Sequence, residues 1–296
     1  MKPAAFRYYA PKTLEEAVAV LAEVAPDDGR VLAGGQSLVP IMAFRLARPT
    51  HLVDINGVAE LGRIAVEGGA LKIGACVRHA RFYEPVCDGP LGKLLATVVR
   101  HIGHHPIRTR GTFCGSLAHA DPASEWCLVA ATLDAEIVAQ NNRGTRTIAA
   151  RDYFDGIMTT VLEADELLTE VRVPMLPADT RFGFCEFSRR AGDFALGMAL
   201  VAYRVQNGVI AEPRVGIGGA EPSPRRVAEA EAALAGQSPG PEAFDAAAEA
   251  AASAIDPLED HSTSADYRRD LVRAMTRRAL DRAAIERAIP AEGRRP

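Results

Sequence analysis

The sequence predicts an α+β chain of two domains, one running to about residue 176 and a smaller one, a sheet with helices, over 177–290. Three observations predict it. Helical and extended patterns alternate from the start of the chain as far as Ile55. A stretch with two prolines, "VPMLPADTRFGF", then interrupts the chain past its middle. Beyond it, extended apolar runs give way to alanine-rich helical patterns. With 296 residues, 48% of them hydrophobic, the chain can bury a sizeable core, and its length favours two domains.

The elements follow in order. Thr13-Leu14-Glu15-Glu16 matches a capping box, and Leu14, Ala17, Val18, Leu21 and Val24 recur at helical spacing. Asp27-Asp28-Gly29 breaks that helix. Residues 30–33 read as a short strand, and a helix is expected over 37–46, with Pro40 tolerated in its first turn. Residues 51–55 form the next strand. "RIAV" and "ALKIGA" read as a hairpin around Glu67-Gly68-Gly69. A helix is expected over 91–102 and another from Asp121-Pro122, where Asp caps and Pro suits the first turn. Strands near 136–139 and 166–173 flank "NNRGT" and a short helix near 150–154. After the boundary, "FALGMALVAYRV" and "GVIAEPRVGIGGA" read as extended, then helices as 225–235, 241–254 and 265–284. No internal repeat is visible.

Charge and cysteine usage exclude several classes. The net charge of −4 offers nothing to a polyanion, and the arginines near the C-terminus alternate with acids, as on a solvated helix face rather than a nucleic-acid patch. No apolar run approaches the roughly 18 residues of a membrane span, and no secretory leader is evident, so a cytoplasmic chain is expected. The five cysteines are odd in number, widely spaced and without Cys-x-x-Cys. A disulfide framework, zinc or an iron–sulfur cluster held by this chain alone is therefore not expected, and metal chemistry would come from a partner.

The chemistry lies in two glycine-bearing segments. In "GRVLAGGQSLVPIM", Gly34 and Gly35 stand between a strand and a helix. Glycines there let an anion rest against bare backbone N–H groups, with Gln36 and Ser37 as side-chain donors and Ser37 able to cap the helix. For a lone pair a plain tight turn is the favoured reading, and the stretch is neither a Walker A nor a Gly-x-Gly-x-x-Gly motif. A second segment, Gly111-Thr112-Phe113-Cys114-Gly115-Ser116, is again glycine-flanked and rich in hydroxyls. Two such loops about eighty residues apart point to a diphosphate gripped from both sides, as in a dinucleotide.

Taken in order, "LAGGQSLVPIMAFRLARPTHLVDIN", "IRTRGTFCGSLAHADPASE", "LLTEVRVP" and "SRRAGDFAL" resemble the FAD-binding medium subunit of molybdenum hydroxylases. That family includes carbon monoxide dehydrogenase and the xanthine dehydrogenase relatives. The likeness covers nearly the whole chain, including "SADYRRDLVRAMTRRAL". It implies a two-subdomain FAD-binding domain of the PCMH type followed by a small C-terminal domain of sheet and helices. It also implies that Leu32, Ala33, Gly34, Gly35, Gln36, Ser37, Leu38 and Val39 wrap the FAD pyrophosphate from one side. Thr112, Phe113, Cys114, Gly115 and Ser116 would wrap it from the other. Ile102, Glu125 and Leu168 match cofactor contacts, and Arg189, Arg190 and Asp193 match a loop near the flavin ring. The family commonly has Gly-Gly where this chain has Cys114-Gly115, and an asparagine where it has Thr109. Cys114 is affordable if its φ is negative, and a tolerated small residue is the favoured reading over a redox thiol.

The resemblance further implies the activity. A large subunit with a molybdenum cofactor oxidises substrate, and a small [2Fe–2S] subunit passes the electrons on. The present chain would hand them from FAD to an external acceptor, in a dimer of heterotrimers, with no acid or base of its own. The alternatives are a self-contained flavin reductase, which would need a substrate-facing acid, and a flavin-free scaffold, with Cys114 as the damaged position. Other clusters carry less. His101, His104, His105 and His119 lack a nearby carboxylate at ligand spacing, and adjacent His104 and His105 would face opposite ways in a strand. "GIGGAEP" leads into prolines and reads as a turn. Ser37 and Ser116 do not fit a nucleophile elbow, Asp54 reads as a strand-end residue, and Asp121 reads as a helix cap.

Overall fold

In the computed structural model the described residues are 2–285, so the last part of the expected second domain, 286–290, lies outside them. A short strand β1 (Arg7–Tyr9) precedes helix α1 (Leu14–Val24). Thr13 Oγ1 accepts from the Glu16 N–H at 3.1 Å, and Glu16 reaches back to the Lys12 N–H at 2.8 Å. That reciprocal cap fixes where α1 begins, and Ala17, Val18, Leu21 and Val24 bury one face. Strand β2 (Gly29–Leu32), helix α2 (Leu38–Ala43) and strand β3 (His51–Asp54) follow. β1, β3 and β2 form a parallel sheet in that order, with Leu32 paired to Asp54 at its C-terminal edge. Helix α2 is shorter than the expected 37–46 because Arg45 turns left-handed, φ 59°, and closes it.

The hairpin β4 (Ile64–Glu67) and β5 (Ala70–Gly74) forms where expected. Helix α3 (Gly89–Val98) begins and ends earlier than the pattern implied. Two short helices, α4 (His105–Arg110) and α5 (Phe113–His119), occupy what read as a glycine-punctuated loop. The next helix, α6 (Glu125–Thr132), starts after Ser124, so Asp121 is not its cap. Strands β6 (Glu136–Asn141), β7 (Gly144–Ala149), β8 (Phe154–Gly156), β9 (Thr159–Thr160) and β10 (Leu167–Pro174) follow. An antiparallel sheet runs β4-β5-β10-β6-β7, and β8 pairs with β9.

A strand, β11 (Arg181–Phe187), lies in the proline-bearing stretch that read as a boundary. With β12 (Gly197–Gln206), β13 (Val209–Gly218) and β14 (Arg225–Arg226) it makes an antiparallel sheet. Helices α7 (Ala228–Leu234), α8 (Pro241–Ala254) and α9 (Ala265–Ile285) complete the described chain. The expected helix over 225–235 loses its first residues to β14.

Two compact units result. One takes the chain as far as Cys87 with Ile102–Asp121 and Asp134–Met175; the other takes Asp88–His101, Pro122–Leu133 and the chain from Leu176. In the second unit, Tyr203, Val215, Val272, Met275 and Leu280 meet in one core. Buried Arg268 on α9 ties it, donating to the carbonyls of Leu196 (3.0 Å) and Gly219 (2.6 Å) and to Asp260 (2.9 Å).

Candidate cofactor-binding site

Both glycine segments belong to the first unit, and they meet. The first leaves the C-terminal edge of the parallel sheet after Leu32, the edge at which open α/β sheets bind ligands. Gly34 explains one of the paired glycines. A Cβ there would stand 2.4 Å from the Arg110 carbonyl oxygen and 2.7 Å from the Gly111 Cα, so only a hydrogen fits between the two backbones. Gly35 explains the other, because its φ is +71°. The Val39 N–H then bonds the Gly35 carbonyl at 3.0 Å, leading into α2. Ser37 was expected to cap this helix, but its side chain makes no cap bond, because its backbone is already helical. Gln36 is exposed, and its amide donates to the Gly34 carbonyl at 3.4 Å.

The second segment is not a loop. Thr112 caps α5 by accepting from the Gly115 N–H at 3.0 Å, and Phe113 and Cys114 are buried in its first turn. Cys114 is therefore helical with negative φ, so the strain feared for a non-glycine residue does not arise. Its thiol donates to the Ile73 carbonyl at 3.4 Å. Burial first, then Cys76 and Glu170, push the Cys114 thiol well above its usual range, which leaves no reactive thiolate at neutral pH. Residues 77–79 hold the segment from behind. The His79 N–H bonds the Gly111 carbonyl at 2.9 Å, the Phe113 N–H bonds the Val77 carbonyl at 3.1 Å, and Arg78 bridges Thr112. The site thus offers glycine backbone on one side and the N-terminal turn of α5 on the other, where Val77 and Thr112 already engage the Phe113 and Gly115 N–H groups and the positive end of the turn suits an anion.

Tyr8, Asn56 and Arg78, which sequence reading passed over, and Asp54, which it read as a strand-end residue, organise this junction. Tyr8 donates its hydroxyl to Asp54 Oδ2 at 2.5 Å. Asp54 Oδ1 accepts from the Asn56 N–H at 2.9 Å and from Asn56 Nδ2 at 2.5 Å. Asn56 Nδ2 also donates to the Ala33 carbonyl at 2.7 Å. Arg78 donates to Asn56 Oδ1 and to the Arg110 carbonyl. Burial works to raise the Asp54 pKa, but the donors from Tyr8 and Asn56 and the Arg78 charge hold it below the usual carboxylate range. Desolvation lowers Arg78. The Asp54-x-Asn56 step is a recognisable Asx turn at a strand end; Arg78 has no local signal.

The other expected site residues fall on further segments of the chain. Ile102 is buried in the first unit, its carbonyl bonded by Arg108 at 2.8 Å, and Leu168 is buried on β10 opposite Ala139. Glu125 opens α6 in the second unit. Arg189, Arg190 and Asp193 are exposed between β11 and β12 of that unit, where the Asp193 N–H bonds the Arg190 carbonyl at 3.0 Å. His104 precedes α4 and His105 opens it, rather than sharing a strand. Among the described residues no group of three or more His, Cys, Asp or Glu could hold a metal ion, and no helix is long and apolar enough to cross a membrane.

Residues 4–176 match the family described as an FAD binding domain in molybdopterin dehydrogenase, and 182–283 match the CO dehydrogenase flavoprotein C-terminal domain. The nicotine 6-hydroxylase medium subunit of Paenarthrobacter nicotinovorans is 39% identical across 95% of this chain and 98% of its own length. A solved carbon monoxide dehydrogenase from Hydrogenophaga pseudoflava superposes with a TM-score of 0.91 at 36% identity, covering 96% of this chain and 99% of its own. Quinoline 2-oxidoreductase from Pseudomonas putida 86 superposes at 0.89, with 37% identity and coverage of 96% and 99%.

Proposed function

The chain belongs to the FAD-binding medium subunits of the molybdenum hydroxylase family, and from that premise we propose that it carries electrons from the [2Fe–2S] clusters of a partner subunit to an external acceptor. A further partner with the molybdenum cofactor would oxidise substrate. Bound FAD supplies the redox chemistry. The residues of this chain bind and orient it.

Leu32 to Val39 and Thr112 to Ser116 are assigned to the pyrophosphate, with residues 1–176 as the cofactor-binding domain and 177–290 as the second. One observation carries the assignment: the Gly34 backbone lies directly on Arg110–Gly111, so the two segments close on each other. Bare glycine backbone and the N-terminal turn of α5 then converge where a doubly charged bridge would lie. Thr112 fixes the start of α5, while the Asn56 bond to the Ala33 carbonyl fixes the path into Gly34. Ile102, Glu125 and Leu168 are assigned to further cofactor contacts, and Arg189, Arg190 and Asp193 to the surroundings of the flavin ring, by family resemblance. The helical setting of Cys114 removes the reason for reading the chain as a scaffold that has lost its flavin.

The test is Gly35→Val. A β-branched residue at φ +71° costs about 1–2 kcal/mol or more, and its Cβ would lie 3.1 Å from Val39 and 3.2 Å from Leu32. The purified parent chain is expected to be yellow with stoichiometric FAD, and the folded variant colourless. Stoichiometric FAD in the variant would overturn the assignment.

A further inference from the structure

Arg78 stands where the two segments meet, and its side-chain hydrogen bonds go to two neutral oxygens. One arm of the guanidinium donates to the Asn56 amide oxygen and the other to the Arg110 carbonyl. Asn56 passes the connection on to the Ala33 carbonyl at 2.7 Å. An unbroken run of hydrogen bonds therefore joins Ala33 to Arg110, the residues just before Gly34 and Gly111, whose backbones touch. The seat of Asn56 is itself fixed: Asp54 accepts from it twice, and Tyr8 holds the other Asp54 oxygen.

The charge balance is uneven. The Asp54 carboxylate acts on Arg78 from beyond Asn56, with both its oxygens engaged by Tyr8 and Asn56, and the like charge of Arg110 works against it. The half-buried guanidinium thus rests on two neutral oxygens, beside segments assigned to an anion. A planar fork suits this place, because it reaches two acceptors at fixed separation, whereas a lysine ammonium is a single point.

We propose that Arg78, seated by Asn56 and Asp54, is a positioning residue for FAD: it locks the two glycine segments at the spacing the pyrophosphate requires and lends that anion its charge. This rests on the assignment of those segments to FAD. The bland alternative is a brace that only stabilises the fold.

The two separate on the full chain, loaded with FAD or stripped of it, through three readouts: the FAD dissociation constant from flavin fluorescence, its salt dependence, and the melting temperature of the stripped chain. Arg78→Met is expected to weaken FAD about 100-fold and Arg78→Lys about 10-fold, the lysine keeping charge but not the fork. Asn56→Ala, which unseats Arg78, is expected to weaken FAD about 10-fold. The melting temperature of the stripped chain should change little, and Arg78→Met should flatten the salt dependence. If Arg78→Met does not fold, Arg78→Lys and Asn56→Ala carry the comparison. Unchanged affinity and salt slope overturn the proposal, as does a loss of affinity matched by an equal loss of thermal stability. Where Gly35→Val loses FAD and the Arg78 and Asn56 variants keep it, the proposal fails and the site assignment stands; where all keep it, the assignment itself fails.

Discussion

At the scale of single residues, one glycine pair contains two separate requirements, a close backbone approach at Gly34 and a left-handed turn at Gly35. Their presence was legible in the sequence because glycine has few other uses between a strand and a helix. Asn56 and Arg78 were not, because a polar residue shows its role only when its partners, far off in sequence, come into view. His79 is a third such residue. It is buried against the Gly111 backbone, and burial, with the charges of Arg108 and Arg78, pushes its pKa down to about 3. An unfolded imidazole takes up a proton below about pH 6.5, whereas the folded one resists until about pH 3. The unfolded state thus binds more protons in that window. Stability is intact above about pH 6.5 and falls as pH drops, by up to ~1.4 kcal/mol per pH unit from this group. Urea unfolding of the parent and of His79→Gln between about pH 7 and about pH 4 reads the effect. The parent's curve should be the steeper, and a difference between the two proteins that ignores pH would sink the account.

At the scale of elements, long amphipathic helices declared themselves and short ones did not. The capping box gave the start of α1, and α8 and α9 lie where alanine-rich periodicity put them. Helices α4 and α5 span 6 and 7 residues, too short for a 3.6-residue period to repeat, and glycine and threonine around them mimic a loop. Strand β11 follows the prolines that read as a boundary and begins within the last residues of that stretch. The helical character of α5 changes what Cys114 means. Cys114→Gly places glycine inside a helix, at about 1 kcal/mol, and removes a small buried side chain, at about 1 kcal/mol more. The start of the helix remains where it is, because Thr112 still caps it. The variant should melt at a lower temperature yet hold FAD as tightly as the parent, by fluorescence titration. A folded variant without FAD would restore a specific role for the thiol.

At the scale of the whole molecule, family membership was readable because four motifs fall in a fixed order along the chain, a pattern that local chemistry alone does not require. The discontinuous make-up of the two units was not readable: α3 and α6 fall within the N-terminal half of the sequence and pack with the second unit. An electron carrier also needs a donor and an acceptor. None of Cys76, Cys87, Cys114, Cys127 and Cys185 is joined in a disulfide, and Cys114, Cys127 and Cys185 are buried. None belongs to a metal-holding group among the described residues, and the proposal places the iron and molybdenum on other chains. Affinity purification of the tagged chain from its native cells, followed by metal analysis, addresses that directly. Iron and molybdenum should accompany it in fixed ratio to flavin, while the chain made alone should carry FAD without either metal. Native material that consists of this chain and FAD only, and that oxidises a substrate unaided, would replace the subunit reading with that of a self-sufficient flavoprotein.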